Sequence, residues 1–388
     1  MRVPASGAVL GYEEKVAMHA VVESGWLTAG PINRQFEESL SAFTGIKHVR
    51  TCNSGSSANL LAVATMVAAG YWKAGDEIIT TAVGFPTTVN PLLLYGLVPV
   101  FIDVELGTYN ANQTAFNRAL SKKTTGIMMA HTLGNPWQFL ASEEIHVVED
   151  CCDALGSDCG HNSDISTCSF FPAHHITTGE GGAVFTNDGK LVRTIESIRD
   201  WGRDCYCEPG QNNTCGKRFC QQFGDLPEGF DHKYTFTHLG YNLKLTEVGA
   251  ACGLAQMTKL PSFIEARQRN FDFLWNGLAH LQDKIILPRA TIGSTPSWFG
   301  FPITIIRPNL RNAMQRFLDE RGVDTRLIFG GNLTRQPYMK GRNFRVSGSL
   351  ENSDKVMNDS FWVGLHPQLS EEQLAYSCEM IGAFFDQG

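Results

Sequence analysis

The sequence predicts an α/β protein: a mainly parallel sheet covered by helices, with a smaller α+β domain behind it. Three observations carry this. Short apolar, β-rich runs alternate with helical patterns from about 50 to 190. Those runs are apolar on both faces, as strands buried between two helical layers are. Beyond about 246 long helical stretches surround one aromatic run, "SWFGFPITII" (297–306). The chain's 388 residues, 43% hydrophobic and 18% charged, suffice for one large domain and a smaller one.

Residues 1–30 read as an N-terminal arm with a short helix that ends near "GWLTAGP". Residues 31–260 read as the large domain. Its strands are "EIITTAV" (77–83), "VPVFIDV" (98–104), "TTGIMMAHTLG" (124–134), "IHVVED" (145–150), "DISTCSF" (164–170) and "GGAVFTN" (181–187). A polar insertion rich in Gly, Asn and Cys spans 200–235. A connection of that length points to a function or a metal staple. The stretch 246–281 is helical, with Pro261 expected to break or kink it. Residues 261–388 read as the small domain, with a helix near 309–321 and a final helix from about 370.

The formal charge of −7 comes without a basic block, which argues against nucleic acid. No apolar run reaches the ~18 residues a membrane span needs, and the first residues lack a signal-peptide core. The expectation is therefore a cytoplasmic protein. Asn112, Asn212 and Asn332 then head chance Asn-x-Thr matches. Eleven cysteines are many for a reducing compartment, and point to ligands, redox groups or buried hydrophobes rather than disulfides. Cys205, Cys207, Cys215 and Cys220 fall within sixteen residues.

Three motifs suggest a site. "NSGSSANLLA" (53–62) sets Gly55, Ser56 and other small residues before a helical run. Such a turn offers free N–H groups to a phosphate, and it is equally a simple helix cap. "VVEDCCDALG" (147–156) puts Asp150 at the carboxyl end of a buried strand, where ligands of parallel sheets gather. There it can hold a pyridinium proton or merely cap the strand. "AVGFPTT" (82–88) offers Phe85 as a stacking face or a core aromatic. Together, a phosphate cradle, an aromatic face and a strand-end aspartate suit pyridoxal phosphate.

The ordered set "GWLTAGP", "NSGSSANLLA", "VVEDCCDAL", "SFFPAHH…GEGGAVFTND" and "HLGYNLKLTEVGAACGLAQM" resembles the sugar aminotransferase and dehydratase family of pyridoxal phosphate enzymes, over roughly residues 20–270. The resemblance implies the fold-type I architecture, with a mainly parallel seven-stranded sheet. It also implies roles. Asp150 meets the pyridine nitrogen, Cys152 lies against the ring, and Asp153 lies near the 3-hydroxyl. Gly55, Ser56 and Ser169 bind phosphate. Asn242 reaches the cofactor of a neighbouring subunit, so a homodimer is implied.

One position departs from the family. Its aminotransferases read like "SFFPTKN" after the strand, and that lysine carries the cofactor. Here the residue is His174, and no lysine lies between Lys123 and Lys190. Histidine forms no stable imine, but it titrates near neutrality and serves as a base. Pyridoxamine phosphate, held without a covalent bond, is the fitting form. His175 reads as a structural neighbour. The pattern "AHHITxGEGG" resembles the branch that acts as 3-dehydrases on nucleotide-linked 4-keto-6-deoxyhexoses, one kind metal-free and recycled by glutamate. The other kind carries a 2Fe–2S cluster fed by a flavin or iron–sulfur reductase.

Cys205-x1-Cys207-x7-Cys215 resembles the iron–sulfur kind, the CDP-4-keto-6-deoxyglucose 3-dehydrase type, and is the expectation here. The fourth ligand is Cys151 or Cys152, with Cys151 preferred because it leaves Cys152 for the ring. Cys159 and Cys168 read as incidental or buried. The alternatives are the metal-free, glutamate-recycled dehydratase and a non-catalytic sugar-nucleotide binder with structural zinc. His131, His232 and His238 have no assigned role. "SWFGF", "FGGNLTRQP" and Arg326 are candidates for the sugar side of the site.

Overall fold

Two helices open the chain, and glycine stops both. Helix α1 (Tyr12–Ser24) ends at Gly25 (φ 71) and α2 (Pro31–Thr44) at Gly45 (φ 73), left-handed positions that only glycine adopts without strain. The structure, a computed structural model, describes residues 1–207 and 209–386; Glu208 of the Cys-rich insertion and the last two residues of the expected small domain lie outside it.

The large sheet follows as β1 (His48–Cys52), α3 (Gly55–Ala68), β2 (Glu77–Thr81), α4 (Pro86–Leu94), β3 (Val98–Ile102), α5 (Gln113–Ala119), β4 (Thr124–Ala130), β5 (His146–Asp150), β6 (Ile165–Ser169), β7 (Gly182–Thr186) and α6 (Gly189–Arg199). Then come α7 (Glu247–Met257), α8 (Leu260–Leu278), β8 (Ile285–Ile286), β9 (Gly300–Ile305), α9 (Arg311–Glu320), β10 (Thr325–Arg326), β11 (Arg345–Val346), α10 (Glu351–Asp359), β12 (Ser360–Gly364) and α11 (Glu371–Asp386).

The first sheet has eight strands in the order β1-β7-β6-β5-β4-β2-β3-β11. Six of them are the strands read from the sequence; β1 makes up the implied seven, and the two-residue β11 extends the sheet, parallel to β3. β2 to β6 pair in parallel, and β7 runs against both its neighbours. β2, β6 and β7 are buried at every position, as strands covered on both faces must be. The second sheet, β10-β12-β9-β8, is antiparallel throughout and packs on α8, α9 and α11 around Phe301, Ile303, Phe361 and Leu318.

One expected strand is shortened. The run 124–134 stops as a strand at Ala130; Thr132–Gly134 form a 3₁₀ turn instead. Gly134 is required there, because a Cβ would lie 2.0 Å from the Ser297 carbonyl oxygen. The helical stretch 246–281 does break, as expected, just before Pro261: α7 ends at Met257 and α8 starts at Leu260. Pro261 sits in the first turn of α8, where a missing N–H costs nothing. β1 carries Arg50 in its middle and gives little apolar signal; as an edge strand it is only partly buried. Among the described residues no helix is long and apolar enough to cross a membrane.

Candidate active site

The carboxyl ends of β4, β5 and β6 and the start of α3 converge at one end of the large sheet. Asp150, the last residue of β5, is 4% exposed and held by three donors. Asn59 Nδ2 and Thr88 Oγ1 reach Oδ2 at 2.8 and 2.7 Å, and the Cys152 amide reaches Oδ1 at 3.1 Å. Asn59 is itself fixed, its Oδ1 accepting from Thr167 Oγ1 at 2.6 Å. So α3, α4 and β6 all aim one carboxylate. Asn59 and Thr88 had no place in the sequence reading. Their only signal is a polar residue inside an apolar helix.

At the start of α3, Ser54 caps the helix by accepting from the Ser57 amide at 3.0 Å. Gly55 is the first helical residue and Ser56, beside it, is exposed. A Cβ on Gly55 would fall 2.5 Å from Ser169 Cβ and 3.0 Å from Cys152 Sγ. The structure therefore brings Gly55, Ser169 and Cys152 together, although 114 residues separate the first two in sequence. Burial pushes the Cys152 thiol well up, so it is an uncharged apolar wall. Phe85 caps the start of α4 and stays 48% exposed, touching Phe329 edge-on. It is therefore not a core aromatic.

His174 lies in the loop between β6 and β7, with Nδ1 3.4 Å from Asp153 Oδ1 and its ring against Phe299. Burial first, then the Arg267 guanidinium, holds the imidazole down at about 4. Burial, with Asp150 adding to it, pushes the Asp153 carboxyl up to about 8. Asp153 Oδ2 is buried without a hydrogen-bond partner. His175 is structural: its Nε2 donates to the Ser297 carbonyl at 3.0 Å. Arg267, 1% exposed on α8, donates Nη1 to the Phe299 carbonyl at 3.0 Å. An arginine in an amphipathic helix gave the sequence no hint of this place.

The matching family model is that of the DegT/DnrJ/EryC1/StrS aminotransferase family, over residues 9–382. The chain belongs to this family. It is 50% identical to the lipopolysaccharide biosynthesis protein RfbH of Salmonella typhimurium, over 99% of this chain and 92% of that one. It is 48% identical to the dTDP-4-dehydro-2,6-dideoxy-D-glucose 3-dehydratase of Saccharopolyspora spinosa, over 98% and 86%. A solved GDP-4-keto-6-deoxymannose-3-dehydratase with a trapped PLP-glutamate geminal diamine superposes with a TM-score of 0.89 at 27% identity, covering 98% of this chain and all of that one. The α/β fold is thus the one these enzymes share.

The residues present fit a pyridoxal or pyridoxamine phosphate. Glycine lets Ser169 and Cys152 pack directly on the α3 N-terminus, where a single methyl would collide with them, and an aspartate with three donors ends the neighbouring strand β5. The buried, unpartnered Asp153 Oδ2 lacks the hydrogen bond that a phenolic hydroxyl would give.

The cysteines divide differently from the expectation. Cys205, Cys207 and Cys215 do gather: Cys205 and Cys207 hydrogen-bond, and the Cys215 amide faces Cys207. Thr214 Oγ1 also donates to Cys207 Sγ at 3.0 Å, and against the effect of burial this hydrogen bonding draws that thiol down to about 7. Cys151 is not brought to them. Its sulfur lies 3.4 Å from Cys159, in a buried group with His131 and Glu149, so Cys159 is no incidental residue. Asn242 is exposed and bridges Asp200 by its backbone. His232 is hydrogen-bonded to Asp204 and His238 to Ser197, while Arg326 is exposed and bonds the carbonyl of Thr325.

Proposed function

We propose that this chain removes the C3 hydroxyl of a nucleotide-linked 4-keto-6-deoxyhexose, with pyridoxamine phosphate as cofactor. One observation carries the reading: His174 stands where the family's aminotransferases have lysine, beside Asp153, with no lysine between Lys123 and Lys190. The names of two relatives, both 3-dehydratases acting on nucleotide-linked keto-deoxysugars, support it. When bound, the cofactor supplies an amine for the C4 ketone and a sink for electrons.

The chain's own residues do the rest. Asp150 accepts the pyridine N–H, and the three donors on it fix its direction. Gly55, Ser56 and Ser169 take the phosphate at the α3 N-terminus. Phe85 and Cys152 cover the ring. His174 is the proton carrier. With its imidazole held at about 4, it is neutral at pH 7 and free to accept. Its Nδ1 stands 3.4 Å from Asp153 Oδ1 without a hydrogen bond, so either ring nitrogen is open to take a proton. With the cofactor bound, His174 would take a proton from the 4′ carbon and would then be the acid available to the departing C3 hydroxyl. Asp153, held at about 8, carries its own proton at neutral pH. The loss of lysine removes the amine that would compete for the cofactor. Asn242, exposed in one protomer, serves the site of a second copy in a homodimer.

For turnover, the metal-free cycle is the better supported, because the solved relative holds PLP and glutamate together. A second reading rests on the gathered thiols of Cys205, Cys207 and Cys215. With a fourth thiolate they would suit a 2Fe–2S cluster and a partner reductase. Iron and sulfide analysis of anaerobically purified protein, beside turnover with glutamate alone, separates the two. Iron-free protein that turns over with glutamate supports the first. Iron and sulfide at two each per chain, with turnover only when a reductant is supplied, supports the second.

A further inference from the structure

Cys151 and Cys159 lie outside the chemistry described above. Cys151 is the first residue after β5, 8% exposed, and its Sγ is 3.4 Å from the Sγ of Cys159. Cys159 is the more open partner. It lines two cavities, one of about 150 Å³ beside Phe43, Ile46 and Cys168, the other of about 750 Å³ beside Trp137 and Gln138. A small oxidant can therefore reach Cys159 from either side, and the first cavity also touches Cys151.

The same two sulfurs and the side chains of His131 and Glu149 lie within 4.8 Å of one another, which raises a metal site as the rival. The histidine decides between them. The Trp137 amide donates to His131 Nδ1 at 3.1 Å, so Nδ1 keeps its lone pair and the ring proton is on Nε2. That proton goes to Glu149 Oε2 at 2.8 Å, and the Gly160 amide donates to the same oxygen at 2.7 Å. A metal ligand needs a free lone pair on one nitrogen and a proton on the other. Here the nitrogen facing the cluster carries the proton. His131 and Glu149 are thus spent on each other, and the thiols are left as a pair.

We propose that Cys151 and Cys159 are a reversible disulfide site, with hydrogen peroxide as the oxidant. The Cys159 sulfur attacks the peroxide, the O–O bond breaks, water leaves, and Cys159 becomes a sulfenic acid. The Cys151 sulfur then attacks the Cys159 sulfur, the S–S bond forms and a second water leaves. Two thiols give up two electrons and two protons, and one hydrogen peroxide becomes two waters. The sulfurs must close from 3.4 Å to about 2.0 Å. Cys151 lies between Asp150 and the Cys152 amide that holds it, so closure pulls on the anchor of the cofactor ring.

The test is peptide mapping of peroxide-treated holoprotein. Free thiols are blocked, the chain is unfolded, and it is cut before aspartates, which separates Asp150–Cys152 from Asp158–Ser163 and from Cys168. The expected result is one cross-link between those two peptides, removed by dithiothreitol. It persists in Cys152→Ala and is absent from Cys151→Ala and Cys159→Ser. Activity should fall about tenfold to hundredfold on oxidation and return on reduction, as a displaced anchor predicts. Full alkylation of Cys159 after peroxide would overturn the proposal. So would a link through Cys152, a Cys151 that alkylates only after iron is stripped, or one zinc per chain that Cys159→Ser removes. Matching thermal unfolding of the variants guards against simple misfolding.

Discussion

Gly55→Ala tests the phosphate cradle with a single methyl group. The new Cβ would meet Ser169 Cβ at 2.5 Å, Ser169 Oγ at 2.9 Å and Cys152 Sγ at 3.0 Å. Carbon atoms sit best at about 3.5–4.0 Å, so Ser169 and the first turn of α3 must separate. Overpacking of this kind costs about 1–3 kcal/mol. Alanine in place of helical glycine returns about 1 kcal/mol, so the apoprotein should lose about 0–2 kcal/mol. Cofactor binding should suffer more. One hydrogen bond to a charged group is worth about 1.5–3 kcal/mol, so misplacing Ser169 weakens binding about tenfold to hundredfold. The assay is a fluorescence titration with pyridoxal phosphate, beside thermal unfolding without it. Gly382→Ala in α11 is the control, because nothing lies within 4 Å of its Cβ; it should gain about 1 kcal/mol and leave binding alone. The reasoning fails if Gly55→Ala binds cofactor like the parent and gains the same stability as the control.

His174→Lys should give a visible absorbance band from a lysine-linked cofactor and lose dehydration; an unchanged spectrum with full activity would refute the role of this residue. His174→Asn, which keeps a polar side chain but no base, should lower turnover about 10²- to 10⁴-fold with cofactor still bound. Replacing Cys205, Cys207 and Cys215 together by serine should leave glutamate-driven turnover intact if the cycle is metal-free; its loss, together with loss of iron, would promote the cluster reading. Burial pushes the Glu14 carboxyl up, but Lys259 and Gln256 outweigh it and hold it at about 2 instead of 4.5. A depressed carboxyl stabilises the fold above its unfolded value, so up to about 3 kcal/mol should disappear as pH falls from about 4.5 towards 2. Urea midpoints at several pH values should show this slope in the parent and a flatter one in Glu14→Gln.

The sheet was legible because its strands are buried on both faces and read as unbroken apolar runs. Most of the strands missed carry no such run: β1 is a half-exposed edge with Arg50 in it, and β8, β10 and β11 have two residues each. β12 is fully buried but only five residues long, directly after a helix. In the site, Asp150 and Gly55 were legible because strand ends and glycine turns have fixed uses in such sheets. Asn59, Thr88 and Arg267 were not, because each meets its partner across a long stretch of chain, and a polar residue in a helix usually faces water. The Cys151–Cys159 pair was hidden for another reason. Spacing grouped the cysteines by sequence, whereas the turn after β5 brings Cys159 back to Cys151 and away from the Cys-rich insertion.

The central claim is that His174 turns an aminotransferase scaffold to C3 deoxygenation. The direct measurement is the mass and NMR spectrum of the product formed from a nucleotide-linked 4-keto-6-deoxyhexose with pyridoxamine phosphate, glutamate and a chemical reductant all supplied. The account predicts a 4-keto sugar that has lost the oxygen at C3. A 4-amino sugar with its C3 hydroxyl intact would contradict it.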